Sequence, residues 1–129
     1  MIALKNVSFE YNSIERSAGV YDINLEIPSG QVLMLCGASG CGKTTITRLI
    51  NGLAPAYYPG DLRGKLLIDG ADSFGLSLYE LSQKIGSVFQ NPRSQFFSVD
   101  SSSEIAFGCE NTGVEREEMY RRIGRVARD

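Results

Sequence analysis

Apolar and polar residues alternate from Ile2 to Tyr11 (Ile2, Leu4, Val7, Phe9, Tyr11), with one slip at Asn6. They alternate again from Tyr21 to Ile27 (Tyr21, Ile23, Leu25, Ile27). Both stretches predict half-buried strands, joined by a polar loop over 12–19 and followed by a Pro28-Ser29-Gly30 turn. The alternation then stops. Gln31 leads into Val32-Leu33-Met34-Leu35-Cys36, an unbroken apolar run expected as a strand buried on both faces, as in a parallel sheet covered by helices; Cys36 reads as a buried strand residue. From Lys43 to Leu53, residues Ile46, Leu49, Ile50 and Leu53 fall on one face of a helix. The stretch 54–64 holds Pro55, Tyr57, Tyr58, Pro59 and Gly60 and is expected as an irregular surface excursion, its tyrosines serving as packing cover or as a partner contact. A short strand follows at Lys65 to Asp69, closed by Asp69-Gly70. Ser77 and Glu80 form a capping box for a helix to Lys84, and Ser101 and Glu104 form a second one. Between them Ile85 to Phe89 reads as a strand that must leave its sheet at Pro92, which has no N–H to give. From Val114 onward Met119, Tyr120, Ile123 and Val126 recur at helical intervals, and Arg125-Val126-Ala127-Arg128-Asp129 carries no glycine or asparagine cap, so a truncation at residue 129 is expected.

Between the apolar run and the first helix stands Gly37-Ala38-Ser39-Gly40-Cys41-Gly42-Lys43-Thr44-Thr45. Strand, glycine-rich turn and helix in this order make a phosphate-binding P-loop. The glycines let backbone N–H groups turn toward phosphate oxygens, and the helix adds the partial positive charge of its N-terminus. Gly37, Ser39, Gly40, Cys41, Gly42, Lys43, Thr44 and Thr45 are therefore the candidate nucleotide-binding residues. Lys43 is expected to reach the β and γ phosphates, and the Thr44 hydroxyl to ligate Mg²⁺. A chain with this loop binds a nucleoside triphosphate or descends from one that does.

Composition narrows the alternatives. With 129 residues and a net charge of −2 the chain has no basic footprint for nucleic acid. Arg116, Arg121, Arg122, Arg125 and Arg128 are interspersed with Glu115, Glu117, Glu118 and Asp129, the pattern of a solvated helix face. No apolar run approaches the roughly 18 residues of a membrane span, and no signal-peptide core opens the chain, so a soluble, intracellular protein is expected. Cys36, Cys41 and Cys109 have no zinc spacing, and the sequence contains no histidine. Cys41 reads as a small residue of the loop rather than a reactive thiol.

Three pieces of the chain together resemble the N-terminal half of an ATP-binding-cassette (ABC) ATPase, and most closely the energy-coupling-factor, cobalt-type importers. They are Val7-Ser8-Phe9-Glu10-Tyr11, the P-loop with its helix ending in Asn51-Gly52-Leu53, and Gly86 to Phe97 followed by Glu104 to Asn111. The resemblance implies an α/β P-loop fold with an N-terminal antiparallel β subdomain and part of a parallel core sheet, residues 1–129 forming the N-terminal portion of the nucleotide-binding domain. It implies that Tyr11 stacks on adenine. It also implies that Gln90 touches Mg²⁺ and the attacking water, as a neutral amide can by giving its oxygen to a metal and its N–H to a water. Lys43 and Gln90 are then the catalytic candidates, Thr44 and Gln90 the metal ligands, and ATP and Mg²⁺ the cofactors. The implied partners are a second ATPase subunit and a transmembrane coupling subunit, with Phe96, Phe97, Tyr57 and Tyr58 as candidate contacts. The implied location is cytoplasmic, on the inner face of the membrane, and the implied cargo is cobalt, a vitamin or a similar micronutrient.

The 129 residues hold no Leu-Ser-Gly-Gly-Gln signature, no apolar strand ending in Asp-Glu and no switch histidine. Catalysis in such enzymes is positioning plus charge stabilisation, so inefficient hydrolysis by this chain alone is expected, with self-association across an open sheet edge at 31–36 or 85–89. Two other readings stand beside the importer ATPase. One is a non-catalytic module that binds nucleotide or partner. The other is a small-molecule P-loop kinase, against which Tyr11 lies a whole β-hairpin before the loop.

Overall fold

The computed structural model describes residues 1–12 and 18–128; most of the polar loop expected at 12–19 lies outside them. The chain divides into two units, Met1–Gly86 and Ser87–Asp129.

In the first unit, β1 (Ile2–Tyr11), β2 (Gly19–Ile27), β3 (Gly60–Ile68) and β4 (Ala71–Asp72) form one sheet in the order β2-β1-β3-β4. Every neighbouring pair is antiparallel. The slip at Asn6 has a structural cause. In a regular strand Leu4 and Val7 would point to opposite faces, yet both belong to the same core, at 2% and 0% exposure. Asn6 accommodates the extra residue by adopting φ 50°, and the register against β3 shifts between Lys5↔Lys65 and Ser8↔Arg63, so that Asn6 and Val7 together oppose Gly64. Asn24 Oδ1 accepts the Asn6 N–H at 2.9 Å. Gly64 has φ 91°, and a Cβ there would lie 2.3 Å from the Asn6 carbonyl oxygen. The strand expected from Lys65 therefore begins at Gly60, because Gly64 is a bulge residue inside β3 and not the end of the preceding loop.

Helix α1 (Lys43–Ile50) lies on this sheet. Its Leu49 packs with Leu4, Val7 and Phe9 of β1, Val20 of β2 and Leu66 of β3, with Ile46 and Ile50 beside them. The helix expected to run to Leu53 stops at Ile50, since Gly52 takes φ 77° and starts the short α2 (Leu53–Ala56), whose Ala54 joins the same core. Asp69 and Gly70 turn the chain from β3 into β4 with φ 50° and 83°, both positive as a tight antiparallel turn requires. Helix α3 (Leu78–Ser82) opens on the expected capping box. Ser77 Oγ accepts the Glu80 N–H at 3.3 Å, and the Ser77 N–H donates to the Glu80 carboxylate at 2.8 Å.

Two expected strands are not strands here. Residues 31–36 and 85–89 join no ladder among the described residues. Val32 and Met34 are 100% and 81% exposed, and Cys36, expected buried, is exposed as well. A fully apolar strand is stable only when neighbours satisfy its backbone on both edges and helices cover both faces. The antiparallel sheet is complete without these segments and provides neither.

In the second unit Gln95 supplies part of what a neighbouring strand would. Its Oε1 accepts the Phe89 N–H at 3.1 Å, and its Nε2 donates to the Ser87 carbonyl at 3.3 Å. A 3-10 turn at Pro92–Gln95 follows, then α4 (Ser101–Asn111) and α5 (Arg116–Val126). The cap of α4 is Asp100, not Ser101: its carboxylate accepts the Ser103 N–H at 2.9 Å. Glu104 instead reaches back to the N–H groups of Phe97 (3.0 Å) and Ser98 (2.8 Å), and the Phe97 ring stacks on Phe107 with centroids 5.4 Å apart. On α5 Glu118 bonds Arg122 at 2.7 Å and pairs with Arg121, as expected of a solvated charged helix.

Replacing Gly64 by alanine is expected to destabilise the chain by about 1 to 3 kcal/mol. Gly70→Ala, with φ 83° but nothing within 4 Å of the new Cβ, is expected to cost less; urea unfolding of the two variants side by side checks the order. A second expectation concerns acid. The backbone N–H of Ser103, followed by its hydroxyl, holds the Asp100 carboxyl below the usual aspartate range. A folded-state value below the unfolded one gives stability that is full above the unfolded pKa and lost as pH falls through the folded one. Helical ellipticity is therefore expected to decline below about pH 4. In Asp100→Asn, an equally good cap that does not titrate, this part of the decline should disappear.

Candidate nucleotide site

Residues 37–42 carry the chain from the exposed segment 31–36 into α1. Gly40 and Gly42 have φ 80° and 97°, left-handed values that other residues rarely adopt. A Cβ on Gly42 would also meet Val20 Cγ1 at 2.6 Å, so the loop can rest on β2 only because that position has no side chain. Gly42 is the N-cap of α1, and no side chain caps this terminus. In α3 and α4 that role falls to Ser77 and Asp100. The first turn of α1 thus keeps N–H donors, and the positive end of its dipole, for a solvent or anion partner.

Lys43, half-buried, folds back across the loop. Its Nζ donates to the carbonyls of Gly37 at 2.8 Å and Ala38 at 2.7 Å, and touches Cys41 Sγ at 3.5 Å. The two shortest of these contacts are to uncharged backbone carbonyls. Ser39, Cys41 and Thr44 are exposed, and Thr45, on the next turn face, is buried. These features fit a polyphosphate group: N–H donors uncapped among the described residues, a lysine resting on backbone carbonyls, and hydroxyls on either side of it.

Tyr11, at the end of β1, comes to the same place. Its hydroxyl donates to Thr45 Oγ1 at 3.1 Å and accepts from Arg48 at 3.3 Å. The ring meets Phe9 and Tyr58 edge-on, with centroids 4.8 and 6.5 Å away, and the Arg48 guanidinium lies 3.7 Å from the centre of the Tyr58 ring. Arg48 belongs to no motif. Its one sequence signal is that it stands three positions after Thr45, hence on the same helix face. Tyr58 is 37% exposed and Tyr57 70%, so of the two expected cover residues only Tyr58 packs closely.

The structure thus joins Tyr11 with residues 37–45 in one unit. Gln90 belongs to the other, where it is an exposed residue in the bend before Pro92. Phe96 and Phe97, also in that unit, are 64% and 73% exposed. Among the described residues no group of His, Cys, Asp and Glu is placed to hold a metal, and no helix is long and apolar enough to cross a membrane.

Comparison with known proteins agrees with this geometry. A family model described as ABC transporter matches residues 20–127. A protein of Treponema denticola named ABC transporter ATP-binding protein is 50% identical over all 129 residues, which make up 26% of its length. A second from the same organism is 41% identical over 128 residues, 99% of this chain and 26% of its own length. One from Pyrococcus abyssi is 43% identical over 123 residues, 95% of this chain and 44% of its own. The chain therefore spans between a quarter and a half of the length of these curated relatives. An α/β chain with a P-loop at the head of its first helix, matched by this family over most of its residues, belongs to the ABC transporter ATP-binding proteins.

Proposed function

We propose that the chain is the nucleotide-holding part of an ABC importer ATPase of the energy-coupling-factor type, which takes up cobalt, a vitamin or a similar micronutrient. The observation that carries the nucleotide reading is the P-loop itself: an α1 terminus that no side chain caps among the described residues, and a Lys43 ammonium resting on two backbone carbonyls of the loop. ATP would be held by the backbone of 37–45, with Lys43 at its terminal phosphates, Thr45 beside them and Tyr11 toward the base. Mg²⁺, supplied with the nucleotide, neutralises phosphate charge; Thr44 and Gln90 are the residues that would receive it. The importer subtype rests on the strings Phe89-Gln90-Asn91-Pro92 and Glu104 to Asn111.

The partners would be a second ATPase domain and a transmembrane coupling subunit, at the cytoplasmic face of the membrane. Exposed Phe96, Phe97 and Tyr57 suit such contacts, since aromatic side chains are favoured anchors. The 129 residues contain no apolar strand ending in Asp-Glu and no histidine, the groups that the family resemblance would have orient the attacking water. The chain by itself is therefore a binder with little turnover.

Calorimetric titration of the purified chain with Mg-ATP, with phosphate release followed on the same sample, tests this reading. Binding is expected, Lys43→Ala should weaken it by about 100-fold or more, as removal of a charge-assisted contact to a polyphosphate does, and phosphate release should stay near background. Absence of binding, or binding indifferent to Lys43, would overturn the nucleotide reading; rapid phosphate release would overturn the expectation of low turnover.

A further inference from the structure

We infer that Arg48 is a positioning residue for the nucleotide site, acting through the hydroxyl of Tyr11 to fix the plane of that ring at the edge of the P-loop. The inference rests on the reading that this loop holds ATP, and it adds a residue that the P-loop pattern does not contain.

The hydrogen-bond chain has only one direction. A guanidinium can donate and never accept, so Tyr11 Oη accepts from Arg48 at 3.3 Å and passes its own proton to Thr45 Oγ1 at 3.1 Å. The tyrosine oxygen is thereby held from two points of α1, one turn apart, while the ring is set edge-on between Phe9 and Tyr58. Arg48 is itself immobilised by Tyr58, whose ring centre lies 3.7 Å from the guanidinium carbon. Among the described residues no carboxylate forms an ion pair with Arg48. A long, flexible cation at a half-buried helix position could otherwise turn toward water, and the stack and the hydrogen bond are the contacts that hold it over the site.

The consequence is specific. An aromatic ring that offers a stacking surface to a base gains affinity when its orientation is fixed beforehand, because the cost of ordering it is met in the free protein. Without Arg48, Tyr11 retains a single hydrogen bond and a freer ring. The loss should fall on the base-bearing part of the ligand and spare the phosphates, which the loop and Lys43 hold. Tyr58, although outside the loop, contributes by keeping Arg48 in place.

The test is titration of the full chain with Mg-ATP and, separately, with magnesium tripolyphosphate, for wild type, Arg48→Met, Tyr11→Phe and the double variant, with far-UV circular dichroism to confirm folding. Each single variant is expected to weaken ATP binding by about 3- to 10-fold, the worth of one ordinary hydrogen bond, while tripolyphosphate binding stays within about twofold. The double variant should be no weaker than the worse single one, because both substitutions remove the same link. Arg48→Lys should restore only part of the loss, since an ammonium lacks the planar fork. Additive losses, or equal losses for tripolyphosphate, would overturn the inference while leaving the nucleotide reading intact. Failure of the wild type to bind either ligand would instead overturn that reading, and this inference with it. If Arg48→Met does not fold, Tyr58→Leu, at a half-exposed position, replaces it and must show the same preference for ATP over tripolyphosphate among its losses.

Discussion

The packing of α1 against the antiparallel sheet is the contact on which the candidate site depends. Leu49 is 1% exposed and shares one buried cluster with side chains from β1, β2 and β3. A buried leucine of this kind is worth about 2 to 5 kcal/mol relative to alanine, a large share of the stability of any small domain. That one anchor fixes the N-terminus of α1, and with it the direction in which Lys43, Thr44 and Thr45 face. Tyr11 is positioned by the same contact from the other side, because it ends the strand whose Leu4, Val7 and Phe9 receive Leu49. The P-loop is held at its α1 end by the helix core, and along its length by the bare Cα of Gly42 against Val20.

What could be read from the sequence follows from how local each cause is. The alternation of Ile2 to Tyr11, the Asp69-Gly70 turn and the Ser77–Glu80 box are all settled by neighbours within a few residues, and the structure agrees with each. The α/β class and the ABC family were likewise legible, because the P-loop is a contiguous string. Gly64 shows where locality fails. Beside Pro59 and Gly60 it reads as loop, and only the slip at Asn6 across the sheet makes it a strand residue. Segments 31–36 and 85–89 fail in the opposite sense: their composition asks for a strand, but a strand also needs neighbouring strands, and among the described residues no strand pairs with them.

The second capping pair shows competition between adjacent residues. Asp100 and Ser101 are both good caps, and a carboxylate accepts a charge-assisted hydrogen bond that a hydroxyl does not. Asp100 therefore takes the helix end, and Glu104 is released to order Phe97 and Ser98. Arg48 was illegible for a different reason. Its partners come from β1 and from the turn before β3, so no window along the chain holds them together. Tyr11, Arg48 and Tyr58 become one cluster only when β1 and β3 pair, bringing Tyr11 opposite Gly60.

The resting arrangement of the loop also bears on how it can hold an anion. With the Lys43 ammonium on two backbone carbonyls, binding of a phosphate exchanges those bonds instead of adding new ones. A hydrogen bond from a charged donor to a neutral acceptor contributes about 1.5 to 3 kcal/mol net. Two unit charges 4 Å apart at an effective dielectric near 20 attract by about 4 kcal/mol, and a terminal phosphate carries more than one charge. Two such bonds come to about 3 to 6 kcal/mol, so the exchange favours the phosphate through its more than single charge, and by a margin smaller than its full Coulomb energy. The carbonyls of Gly37 and Ala38 then serve as a parking place that keeps Lys43 folded over the loop, so that the lysine does not have to be recruited from solvent when the ligand arrives. Such preorganisation lowers the entropic cost of binding. It requires carbonyls that point inward and N–H groups that remain uncapped, which the glycines at 37, 40 and 42 make possible together.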